Sequence, residues 1–304
     1  MRIAAIDIGT NSTRLLVADV DGPTGALATV DRRTRITRLG QGVHDARRLD
    51  PDAIARTLAV LEEYAQAISE HRAKRVRMTA TSASRDASNR ADFFDPAERL
   101  VGVRPELISG EEEAVLEFTG ATHGLAEPEP YLLIDVGGGS TEFIAGASKP
   151  DGLISVDVGC VRLTEQYLRS DPPTPEELSV AVSVVRDFLA DVDRAVPGAA
   201  HAKTLIGTAG TVWTMGAIEL GVDASESARI HHSRLSRAAA EDVFRTLATE
   251  PIAVRRHNPG LEPGRVDVIV GGVIVVVTAM RHWGFDELLV SEADILDGLV
   301  RSIA

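Results

Sequence analysis

Two stretches of this chain repeat one pattern. "RIAAIDIGTNSTRLLVADV" at 2–20 and "YLLIDVGGGSTEFIAGA" at 131–147 each run an apolar strand into Asp-x-Gly, then a small polar loop, then a second apolar strand. One such hairpin is merely a tight turn. Two of them, one opening each half of a 304-residue chain, predict a duplicated α/β domain, and at roughly 150 residues per domain the length holds two. The loops have a shared chemistry. Glycine lets the backbone approach a ligand closely, so the amides around Gly9 and around Gly137, Gly138 and Gly139 are placed to face phosphate oxygens. The side chains of Thr10, Asn11, Ser12, Ser140 and Thr141 add donors. Asp7 and Asp135 are the candidate metal residues; both suit Mg²⁺ held through water, because that ion dehydrates reluctantly.

Composition narrows the function further. Hydrophobic residues make up 44% of the chain and charged residues 25%, as in an ordinary globular protein. The first residues already read as a strand and not as a leader segment. The longest apolar run, "VIVGGVIVVVTAM" (268–280), is short of the ~20 residues a bilayer needs and is expected to be a buried element. No membrane partner follows. Cys160 is the only cysteine, so no intrachain disulfide forms, a reducing cytoplasm fits, and the thiol reads as a small buried hydrophobe. The formal net charge of −13 is the opposite of a nucleic-acid coat, and it requires any phosphate site to be built locally. The basic runs at 31–38, 71–77 and 254–257 read first as solvated faces.

Between the hairpins the pattern alternates. "GALATVDRRTRITRL" reads as a third strand, and residues 52–71 place Ile54, Leu58, Leu61 and Ile68 on one helical stripe. "RVRMTATS" reads as a strand leading into a helical "SASRDASNRADFF". "PELISGEEEAVLEFTG" reads as a strand ending near Ile108 and then a helix, with Ser109 and Glu112 fitting a capping box. In the second half, "GLISVDVGCVRLTEQYL" gives a strand and a helix. Thr174, Pro175 and Glu177 mark a helix start, and "KTLIGTAGTVWTMGAIEL" reads as a strand, a glycine-threonine loop and a helix whose N-terminus suits an anion. The clearest break is "HGLAEPEPY" (123–131). The predicted domains are 1–122 plus about 292–304, and 123–291.

Neither a P-loop nor a dinucleotide fingerprint is present, and no zinc-type His or Cys spacing occurs; His231 and His232 read as surface residues. What remains is a set of motifs in order: "DIGTNSTRLL", "TSASRDASN", "ISGEEEA", "IDVGGGSTE", "GTAGTVWTMGA" and "NPGLEPGRVDVIVGG". Together they resemble the exopolyphosphatase/guanosine pentaphosphate phosphohydrolase (Ppx/GppA) family, and they span essentially the whole chain. The resemblance implies two actin-like domains of the ASKHA, ribonuclease H-like type with an active-site cleft between them. It implies a hydrolase that uses Mg²⁺ or Mn²⁺ to remove terminal phosphate from inorganic polyphosphate or from guanosine pentaphosphate (pppGpp). It also maps Arg85 onto an arginine acting on the phosphate chain, Glu113 onto the catalytic base and Glu142 onto a further active-site carboxylate.

The residues themselves carry part of this. Acidic residues in a first helical turn are favoured by the macrodipole, and successive helical residues point ~100° apart, so at most two of Glu111, Glu112 and Glu113 share a cleft. Arg85 follows a strand-ending Thr/Ser turn, and its fork suits phosphate. Two departures from the family stand out. The chain stops at Ala304 without the helical region and His-Asp motif that follow in many members, and "VSEADILDG" (290–298) replaces the more usual Gly-Leu-Arg-Glu-Gly ending. A preference for short polyphosphate follows as an expectation. A kinase of the same superfamily and a non-catalytic polyphosphate or alarmone sensor are the rival readings; a homodimer is compatible with all three.

Overall fold

Strand propensity and apolar alternation produce eleven strands among the described residues, which in this computed structural model are 1–21 and 26–304. The chain divides into two compact units, Met1–Gly120 with Asp294–Ala304, and Ala121–Ala293.

In the first unit, β1 (Arg2–Ile8), β2 (Ser12–Val20), β3 (Leu27–Ile36), β4 (Arg75–Ala80) and β5 (Glu106–Leu107) form one sheet in the order β3-β2-β1-β4-β5. The hairpin strands are antiparallel, and β4 joins β1 in parallel. The central strand is buried on both faces, which explains why its sequence is almost continuously apolar. Ala4, Ile6 and Ile8 face a core shared with the helices Pro51–Glu70 and Ala91–Val101. Ile3 and Ala5, on the opposite face, pack with Leu116, Ile295, Leu296, Leu299 and Val300. Asp7 continues the second alternation, so its side chain lies on the face covered by the final helix, Ile295–Ser302.

The second unit repeats the design. β6 (Tyr131–Val136), β7 (Thr141–Gly146), β8 (Pro150–Val156), β9 (Thr204–Thr208), β10 (Arg234–Ser236) and β11 (Glu287–Val290) are ordered β10-β11-β9-β6-β7-β8. From β8 to β11 this is the order and polarity of the first sheet, with β10 added antiparallel at the edge. The duplication expected from the two hairpins is therefore a duplication of the whole sheet. The apolar run becomes the helix Ile269–Trp283, with every residue from Ile269 to Met280 buried. Cys160 is buried as expected.

Several local expectations are met in detail. The helix Pro175–Ala195 starts with a complete capping box between Thr174 and Glu177. Others shift. The buried stripe of Pro51–Glu70 runs through Ala53, Thr57, Leu61, Tyr64, Ala67 and Ile68, leaving Ile54 and Leu58 only partly covered. The expected glycine-threonine loop is absent: β9 ends at Thr208 and the helix Ala209–Leu220 begins at the next residue. The single turn is made by Ala209 at φ 61°, in the left-handed region that a non-glycine residue rarely adopts.

Candidate active site

The two hairpin turns close with the same hydrogen bond. Gly9 N–H donates to Ser12 O at 2.9 Å, and Gly137 N–H donates to Ser140 O at 3.0 Å. A side chain at either glycine would press on that serine carbonyl. Each turn leaves two amides, those of Thr10 and Asn11 and those of Gly138 and Gly139, without a protein acceptor among the described residues. The outer backbone of each turn is anchored from behind. Thr10 O and Asn11 O accept from the amides of Gly40, Thr37 and Arg38, while Gly137 O and Gly138 O accept from Cys160, Val161 and Arg162. Each loop is thus a rigid turn whose free amides are preorganised for an anion.

The register is equivalent in both units, but the partners differ. Asp7 sits opposite Arg14 across its hairpin and opposite Thr79 on the parallel strand. Asp135 sits opposite Glu142 and Thr208. In the first unit the Arg14 guanidinium holds Asp7 Oδ2 through Nη2 at 2.7 Å and Nε at 3.2 Å, and Thr79 Oγ1 lies 3.4 Å from Oδ1. Burial pushes the Asp7 carboxyl above the usual carboxylate range, and the Arg14 charge opposes that rise. In the second unit Glu142 Oε1 accepts from Ser140 Oγ at 2.8 Å and from Ser155 Oγ at 2.6 Å. Thr141 Oγ1 turns inward and donates to Val158 O at 2.5 Å, so it braces the loop. The buried Thr208 hydroxyl has no hydrogen-bond partner among the described residues.

Arg85 and Glu113 come together. Arg85 lies in the short helix Ser82–Asp86, and its Nη1 donates both to Ile108 O and to Glu113 Oε2, each at 2.9 Å. Glu113 stands in the first turn of the helix Gly110–Thr122. Of the three consecutive glutamates, Glu111 and Glu112 are exposed and Glu113 alone is half-buried. Ser109 Oγ accepts the Glu112 amide at 3.1 Å, one half of the expected capping box, while the Glu112 carboxylate is drawn to Arg77 Nη2 at 2.8 Å.

Other side chains around the first loop escape a reading of the sequence. Arg14 also donates through Nη1 to Asp294 Oδ2 at 2.6 Å, and Arg32 bridges Asp294 and Asp297 at 3.3 and 2.5 Å. Both aspartates belong to the segment that departs from the usual family ending, and they cap the final helix. Among the basic runs, Arg33 pairs with Asp31, Arg77 with Glu106 and Glu112, and buried Arg255 with Asp171. The runs are mixed: these arginines are fastened to the fold, while Arg35, Arg72, Lys74, Arg75 and Arg256 are exposed, as a solvated face expects. His231 and His232 stack ring on ring, with centroids 3.7 Å apart.

Two sheets of the same order, each carrying a glycine turn with free amides and a carboxylate at the end of its first strand, define a two-domain α/β protein of the actin-like class. Within that class the chain belongs to the Ppx/GppA phosphatase family, whose model matches residues 6–304. It is 45% identical to exopolyphosphatase 2 of Mycobacterium tuberculosis over 315 aligned positions, covering 100% of this chain and 98% of that protein. A crystal structure of an exopolyphosphatase-like protein matches at 37% identity and TM-score 0.92, over 99% of this chain and 98% of the other. The Aquifex aeolicus member of the Ppx/GppA family matches at 32% identity and TM-score 0.85, over 100% and 97%. No helix among the described residues is long and apolar enough to cross a membrane.

Proposed function

We propose that the chain is an exopolyphosphatase, a phosphoanhydride hydrolase that releases terminal phosphate from inorganic polyphosphate, short chains above all, and from pppGpp, in the cytoplasm. The observation that carries this reading is the matched pair of turns, each presenting two free amides beside a carboxylate. The likeness to the mycobacterial exopolyphosphatase supports it over most of both chains.

In this reading the free amides of Thr10 and Asn11 in the first turn, with the Ser12 hydroxyl, and those of Gly138 and Gly139 in the second bind phosphate oxygens, while Gly9 and Gly137 close the turns and Ser140 and Thr141 brace the second loop. Arg85 neutralises phosphate charge, and Glu113 orients and deprotonates the attacking water. Their 2.9 Å contact ties the base to the group that binds the phosphate under attack. Phosphoryl transfer is largely positioning and electrostatics, so this small set suffices. Glu142, held by two serine hydroxyls, keeps the second loop anionic beside Asp135.

The donors fit a divalent cation. They are all hard oxygens, and the buried Thr208 hydroxyl opposite Asp135 has no partner among the described residues, a set suited to Mg²⁺ or Mn²⁺. Asp135 would hold an ion at the second turn, and Asp7 would hold one at the first only through water, because Arg14 already engages it. When bound, the ion would supply charge neutralisation on the phosphate chain.

A phosphate-release assay tests the reading: short polyphosphate and pppGpp with Mg²⁺ are expected to turn over, and excess chelator to stop them. Tight polyphosphate binding with no release from any substrate would make the chain a sensor. Phosphate passed to ADP would make it a kinase.

A further inference from the structure

Asp294 occupies a special place in the first unit. The chain leaves that unit after Gly120 and re-enters it at Asp294, and the two points touch. A Cβ on Gly120 would overlap the Asp294 carbonyl oxygen, and one on Gly298 would overlap the Leu116 carbonyl oxygen. The helix Gly110–Thr122, which carries Glu113 in its first turn, is therefore packed backbone to backbone against the start of the final helix. One turn beyond Glu113 on the same face, Glu117 Oε2 accepts the Ile295 amide at 2.7 Å, joining the helices a second time.

The Asp294 carboxylate then reaches the other way. Oδ1 caps Leu296 N–H at 2.9 Å and accepts from Arg32, while Oδ2 accepts Arg14 Nη1 at 2.6 Å. The remaining edge of the Arg14 guanidinium grips Asp7. Asp294 is buried, and its own amide is held by Asp297 Oδ2 at 3.0 Å. One residue thus joins two parts of the candidate site: its carboxylate, through Arg14, bears on the orientation of Asp7, and its backbone, against Gly120, on the seat of the Glu113 helix.

We propose that Asp294 is a positioning residue for hydrolysis, aligning the Asp7 loop with the Glu113 helix by way of Arg14. It touches neither substrate nor water. The inference rests on the phosphohydrolase reading above. Misplacing catalytic groups by as little as an ångström costs about a hundredfold, so the effect belongs in kcat more than in KM.

The neighbouring Asp297 supplies the control, because it is part of the same capping box and pairs with Arg32, whereas the side chain that meets Arg14 is that of Asp294. Steady-state kinetics on short polyphosphate and thermal melts are measured for the wild type, Asp294→Asn and Asp297→Asn. Asp294→Ser, which keeps an oxygen for the Leu296 amide, serves if the asparagine variant does not fold. The expected result is a fall in kcat of about ten- to a hundredfold for the Asp294 variant with KM within about twofold, and an Asp297 variant that loses thermal stability and keeps its kcat. An Asp294 variant with wild-type kcat, or an equal loss of kcat in both, overturns the proposal by reducing the network to a structural one. No release by the wild-type protein would instead overturn the function on which it rests.

Discussion

Glu113 differs from its two acidic neighbours in what its carboxylate meets. Glu112 is exposed and tied to Arg77, Glu111 is exposed, and Glu113 is half-buried against Arg85. If it is the base, Glu113→Gln keeps the shape and removes the proton acceptor, and kcat on short polyphosphate should fall by roughly 10² to 10⁴. Glu111→Gln should leave it within about twofold, and a reversal of the two would move the base by two positions. Arg85→Ala should raise KM by about tenfold, a loss of about 1.4 kcal/mol in substrate binding; an unchanged KM in titrations of initial rate would confine Arg85 to holding Ile108 and Glu113. The loop residues were legible because an Asp-x-Gly hairpin is local: strand, turn and strand lie within one short window. Arg14 and Asp294 were not, since their pairing joins positions 280 apart in sequence and neither residue type announces its partner. Ala209 gave no cue either, because an alanine ordinarily has no reason to adopt a left-handed backbone.

Elements followed the sequence where their signals were periodic or capped. The helix Pro175–Ala195 starts where Thr174, Pro175 and Glu177 put it, and its cap has a measurable consequence. The Thr174 amide, with those of Arg169 and Ser170 and the Ser170 hydroxyl, holds the Glu177 carboxyl below its usual range. The native state therefore binds fewer protons there than the unfolded chain. The cap's contribution is present above the unfolded value of 4.5 and is lost as pH falls through the lowered folded value. Glu177→Gln should accordingly melt below the wild type near neutral pH, with the gap closing below pH ~4; a gap of constant size would assign it to something other than the carboxylate charge. Short elements were harder to read. β10 and β11, of 3 and 4 residues, are too brief to show a period of two, and they form only because a sheet edge is available to pair with. Close helix packing is similarly hidden. Gly298 reads as an ordinary glycine until the Leu116 carbonyl is seen against it. Gly298→Ala should cost about 1–3 kcal/mol, as overpacking does, which calorimetry would register as a fall in Tm of at least about 2 °C. An unchanged Tm would mean that the two helices can separate at little cost.

At the scale of the whole molecule, charge decides how much of a polyanion the protein can hold. The chain carries 32 Lys and Arg against 45 Asp and Glu, so a long phosphate chain meets net repulsion outside any local cradle. The arginines of the run at 31–38 were the natural candidates for a track, and several of them already face carboxylates. Arg32 is held by Asp294 and Asp297, Arg33 by Asp31, and Arg35 lies 3.8 Å from Glu63. The phosphates gripped would then be the few that local donors reach, and a chain several times longer would gain little further binding. Each phosphate contact releases counterions and steepens the dependence of affinity on salt, so the slope for polyphosphate should be shallow and nearly independent of chain length. Turnover should be distributive: after each cleavage the shortened chain dissociates as readily as it bound. Gel-resolved time courses on long polyphosphate should show a descending ladder of intermediates, with KM at fixed salt changing by less than about threefold between short and long chains. Long chains that disappear without intermediates, together with a KM that falls steadily as length grows, would require a basic track that the arginine pairings do not leave open.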